Sequence, residues 1–271
     1  AFTVGSGSTV SFSHGSMATT DRTNVAGILG AWFTVGNRWA ANATNAADGN
    51  IVGYTGGTTF TPAAATNFDV NYDLAGSATL TGTRTVNTLR IESTADDQVL
   101  DLGANNNLQT SNLTGTNALA GTSGGLLYAG GANGNYTITG TNGGLLIENQ
   151  NGQGQLINVY SGTLTMDARV GSGTSPLVKS GEGTLVLKKD NGYGSLRIYQ
   201  GVVRLGHNNA LENTSTVQNG AAIELSNGIS IGAFASTITG TGISNGGALR
   251  SLATTTSSFA GAITIGTGGA R

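Results

Sequence analysis

A chain of 271 residues with 38% hydrophobic content is long enough for one large domain or two modest ones. Only 10% of it is charged, the net charge is −2, and 45 residues are glycine while two are proline. So weak a charge gives no long-range field for nucleic-acid phosphates or an anionic membrane surface, and the absence of cysteine removes disulfides, thiolate nucleophiles and zinc–thiolate sites.

The chain starts at Ala1, with no charged-then-apolar leader and no run of 18 apolar residues. The expectation is a mature or excised segment that carries no signal peptide and inserts in no membrane. Residues 1–75 read as a β-rich N-terminal cap with the first coils of a repeat structure, and 76–271 as continuous repeats, truncated at the C-terminus or continuing beyond it. "AWF" and "RWA" place Trp32 and Trp39 in strand-like alternation. Exposed indole faces would make this pair a glycan-binding platform. Burial would make them the packed cover of an open solenoid end, and the alternation favours that reading.

Asp69 and Asp73 in "NFDVNYD" lie roughly 13 Å apart along a regular strand, too far for a glycosidase pair. "IESTADDQVLDLG" gathers Glu92, Asp96, Asp97 and Asp101, whose hard oxygens suit calcium or an acidic lyase-like groove. The same residues also read as a solvated turn whose charges discourage edge contacts.

Further along, one phrase keeps returning. "GGLLYAG" at Gly124 recurs as "GGLLIEN" at Gly143, and "GTLTM", "GTLVL", "GVVRL" and "GAAIEL" begin at Gly162, Gly183, Gly201 and Gly220. Within these runs Leu185, Leu187, Leu196, Ile198, Val203, Leu205, Ile223 and Leu225 alternate with polar residues, a period of two. No stretch carries a helical apolar stripe. Strand-sized units repeating about every twenty residues cannot bury their own apolar faces and must stack on their neighbours. The predicted fold is all-β: a right-handed parallel β-helix with coils of about twenty residues and almost no helix. An antiparallel sandwich also uses short strands but does not return one phrase at one interval.

The block "LVKSGEGTLVL…Y…LRIYQGVVRLGHNNAL…VQNGAAIEL", from Leu177 to Leu225, resembles the autotransporter-associated β-strand repeat. Lys179, Ser180, Gly181, Gly183, Thr184, Leu185, Tyr193, Gly201, Gly206, Asn209, Ala210 and Leu211 fall at the pattern's positions. Val202 and Val203 stand where Thr and Leu are commoner. The resemblance implies a bacterial extracellular β-helix of the passenger type.

Catalytic equipment is sparse. His14 and His207 are the only histidines and read as solvated turn residues; no "GxSxG" elbow or phosphate loop is present. The function expected is therefore mechanical and not enzymatic, with no cofactor: a secreted or cell-surface stalk, fibre or matrix protein with an adhesive side. Its partners would be copies of itself stacked end to end or further repeats of the same chain, together with glycans or a neighbouring cell surface. The alternative is a carbohydrate-active or carbohydrate-binding β-helix using Asp97 and its neighbours or the Trp32 and Trp39 region. With only 14 acids and 12 bases, stability should depend weakly on salt and on pH between ~5 and 9.

Overall fold

A computed structural model describes residues 9–111, 124–131, 134–148, 154–171, 173–226, 228–252 and 256–270. Among them there is no α-helix, and one 3₁₀ turn spans Ile243–Asn245. The strands form a nineteen-stranded sheet, a five-stranded sheet over the N-terminal region, and a two-stranded pairing of Ser230–Ile231 with Ser258–Phe259.

The large sheet is solenoid-like, with parallel strands stacked in rows. One row, here the first face, runs through Gly125–Gly131, Gln155–Val159, Leu177–Ser180, Leu196–Ile198, Ser215–Val217, Ser236–Gly240 and Ile263–Ala270. A second face runs through Thr163–Val170, Thr184–Leu187, Gly201–Leu205, Ala221–Leu225 and Leu249–Ser251. The period-two alternation becomes columns, because parallel in-register pairing sets like positions above one another. One column of the second face reads Leu100, Ile138, Met166, Leu187, Leu205, Leu225; the next reads Tyr136, Leu164, Leu185, Val203, Ile223, Leu249. All eight of the alternating residues, Leu185, Leu187, Leu196, Ile198, Val203, Leu205, Ile223 and Leu225, lie buried in one core.

Register along the first face advances by 19 residues from Lys179 to Ile198 and by 19 again to Val217. It advances by 37 from Leu89 to Leu126 and by 31 from Leu126 to Ile157. The columns stay in line across these unequal advances because the in-register parallel pairing is kept on both sides of them.

Between Leu187 and Leu196, and again after Leu205, the chain runs outside the strands, and side chains satisfy the backbone there. Asn191 Oδ1 accepts from the Val170 amide at 2.9 Å, Asn191 Nδ2 donates to the Ala210 carbonyl at 3.1 Å, and the Tyr193 hydroxyl donates to the same carbonyl at 2.5 Å. These bonds replace a ladder that buried backbone groups would otherwise lack.

Lys179 is fully buried in the first-face column between Ile157 and Ile198. Its ammonium reaches the corner and donates to the carbonyls of Ser180 (2.8 Å), Gly181 (2.7 Å) and Gln200 (3.0 Å). Gly201 closes that corner with φ +73°, and a Cβ there would lie 2.4 Å from Gly181 O and 2.8 Å from Lys179 Nζ. Gly201→Ala should therefore destabilise by more than the ~1–3 kcal/mol of left-handed strain alone, as read by chemical denaturation. An unchanged midpoint would show that the corner can relax.

The first coil is closed by aromatic packing. Phe60 and Tyr72 meet edge to face at 6.0 Å, and the Arg84 guanidinium lies 4.6 Å above the Tyr72 ring. At the other end of the stack, Ile263 and Ile265 continue the interior rows of the first face but are 47% and 55% exposed.

Candidate functional site

The five-stranded sheet comprises Val10–Phe12, Thr19–Thr20, Phe33–Val35, Arg38–Asn42 and Gly49–Gly53. It does not cover an end of the stack as expected. It lies along the outer side of the first face, where Ile28, Leu29, Trp32, Phe33 and Trp39 form a second core with the outward-pointing Leu127, Leu156 and Val178. Those three outward positions are apolar where a free face would carry Thr or Asn, which is the physical reason the sheet docks there. Gly125 allows the approach: a Cβ on it would sit 2.8 Å from Ala31 Cβ. Polar bonds fix the seam, from Asn71 Nδ2 to the Ala26 carbonyl at 2.5 Å and from Arg90 Nε to the Asn37 carbonyl at 2.8 Å.

Trp32 and Trp39 are 3% and 1% exposed, so neither offers an indole face to a sugar. Their sequence alternation marks a buried sheet, but the surface they bury against is the flank.

The acidic stretch is also taken apart. Glu92 lies one residue before the end of the strand Arg84–Ser93 and pairs with Arg90 at 2.9 Å. Asp97 occupies a left-handed turn position, and Asp101, on the following strand, accepts from the Gly103 amide at 2.8 Å to cap its own turn. Among the described residues no three His, Asp or Glu side chains are placed to hold a metal ion. Glu92, Asp96, Asp97 and Asp101 therefore do not assemble into the calcium site their spacing suggested, because the chain turns a corner between Ser93 and Gln98.

Arg90 holds a small ionic knot. It lies 2.9 Å from Glu92 and 3.8 Å from Asp73, beside a pocket of about 290 Å³ that Arg38 and Phe60 also line. Burial pushes the Asp73 carboxyl above its ordinary range, against the opposing pull of Arg90 and Arg38. Two cations face two anions here, so the pocket has no net sign with which to recruit an ion.

A larger groove, of about 620 Å³, opens where the Val10–Phe12 edge faces the corner between the first and second faces. Ser11, Phe12 and Ser13 line one side; Asn158, Tyr160, Ser161, Glu182 and Gln200 line the other. The corner residues come from three successive turns, so the stacking itself aligns them. Tyr160 is 40% exposed, and Glu182 Oε1 accepts from Gln200 Nε2 at 3.2 Å. Sequence reasoning missed this groove because its walls are about 150 residues apart. The only local signal is Tyr160 itself, a large aromatic in a turn otherwise built of Ser and Gly.

No protein-family model, characterised protein or solved structure matches this chain.

Proposed function

We propose that the chain is a right-handed parallel β-helix with coils of about twenty residues, of the autotransporter-associated repeat type, serving outside the cell as a stalk, fibre or matrix component. Its role is mechanical and not catalytic. The observation that carries this reading is how the repeat-pattern residues are used. Lys179 ties corner carbonyls, Tyr193 stands in for a missing ladder, and Gly201 closes a crowded turn. Lysine and tyrosine, residue types able to serve chemistry, are spent here on holding one coil to the next.

Secretion or surface display is the compartment that fits, since such a rod would act by length and by contact. Copies of the chain stack end to end, or further repeats continue it, on the edge presented by Ile263–Ala270, where two interior-row isoleucines are exposed. Glycans or a neighbouring surface would be met on the flank that carries the groove. Electron microscopy of the purified chain at rising concentration tests the mechanical part. Rods lengthening in steps of one molecule are expected, and short particles of constant length at all concentrations would count against stacking.

A further inference from the structure

We propose that the groove between the Val10–Phe12 edge and the first-face corner binds a neutral oligosaccharide. The inference rests on the adhesive part of the proposed function and is independent of the stalk.

The volume of about 620 Å³ lies within the range of small-ligand sites. Tyr160, 40% exposed, and the half-buried Phe12 supply aromatic surface on opposite walls, suited to the apolar faces of pyranose rings. The polar lining is almost entirely uncharged: the Asn158 and Gln200 amides and the Ser161 hydroxyl, which both donate and accept, as vicinal sugar hydroxyls require. Among the described residues of the lining Glu182 alone is charged, and no Lys or Arg joins it. Phosphate- and uronate-bearing ligands are thereby disfavoured. Asn158 is 4% exposed, and its Oδ1 has no hydrogen-bond partner among the described residues. Its amide can turn toward a ligand hydroxyl without giving up a bond at that oxygen, and the donor it lacks is what the hydroxyl brings.

The two walls belong to separate sheets locked together by the core around Trp39, so the groove is formed before any ligand arrives. An extended peptide would instead add to the Val10–Phe12 edge, but three residues offer few backbone bonds.

The test is an array of immobilised neutral and anionic glycans probed with the full chain. Calorimetric titration with soluble cellohexaose, chitohexaose and maltohexaose follows. Neutral glycans should be retained and uronate polymers should not. Tyr160→Ala should weaken the best neutral ligand at least about tenfold, and Tyr160→Phe should stay within about twofold, because stacking and not the hydroxyl carries the contact. Circular dichroism of both variants should match the parent, since the side chain is at the surface. Absence of any neutral ligand, undiminished binding by folded Tyr160→Ala, or preference for uronates would each overturn the assignment. None of these results would alter the rod lengths seen by microscopy, so the stalk reading stands or falls separately.

Discussion

Replacing Lys179 with alanine is expected to lower the unfolding free energy by about 3–5 kcal/mol, because it empties a stretch of the interior column and strips the carbonyls of Ser180, Gly181 and Gln200 of their shared donor. Lys179→Met should recover the packing loss and leave the carbonyl loss. The two variants therefore separate the apolar stem from the ammonium. Burial lowers the amine from its ordinary 10.5 to about 7. Between those values the unfolded chain binds more protons than the folded one, so stability rises with pH across that window, at up to about 1.4 kcal/mol per unit. Below about pH 7 both states are charged and the desolvation cost is present in full. Above pH 10 the trend reverses, because burial raises the Tyr136 and Tyr193 hydroxyls, which keep their protons in the fold while unfolded tyrosines lose theirs. Urea denaturation from pH 6 to 11 should show parental stability climbing to a maximum near 10, with Lys179→Met flat over the climb. Equal profiles would show that Lys179 does not titrate in this window. The flat response expected from the scarcity of charge thus gives way to one buried amine.

Leu187→Ala should cost about 2–5 kcal/mol, since its side chain is fully buried between Met166 and Leu205 in the second-face column. Ile265→Ala, in a comparable row but 55% exposed, should cost no more than about 0.5 kcal/mol. The damage should stay local, because each strand of a stacked row depends on its immediate neighbours. Hydrogen exchange is expected to quicken first in Thr163–Val170, Thr184–Leu187 and Gly201–Leu205, with Arg84–Ser93 protected as before. Uniform loss of protection across all strands would contradict nearest-neighbour coupling.

The columns were legible in the sequence because alternation and a constant interval are local properties: Leu185 and Val203 recur at matching places in their phrases, and they pair. Lys179 was legible in principle too, lying two residues after Leu177 on the inward face, but a lysine at an inward position is discounted until its three carbonyls are seen. The place of the N-terminal sheet was not legible. Strand alternation around Trp32 and Trp39 says that one side is buried and is silent on what covers it, and the answer depended on outward Leu127, Leu156 and Val178 more than eighty residues away. The acidic stretch misled because sequence proximity survives a corner while spatial proximity does not. Its spacing already held the correction, since Arg90 and Glu92, two apart on a strand, share a face and pair.

The measurement that bears most directly on the parallel register is a disulfide trap, which the absence of cysteine makes clean. Thr216 and Thr237 are register partners on adjacent first-face strands, both partly exposed. Neighbouring strands lie ~4.8 Å apart, within reach of a cystine. Thr216→Cys with Thr237→Cys should oxidise to an intramolecular disulfide in monomeric protein, seen by mass spectrometry. Thr216→Cys with Ile238→Cys should not, because Ile238 points to the interior. Equal cross-linking of both pairs, or cross-linking of the second alone, would contradict the stacked register on which the columns, the buried lysine and the groove all depend.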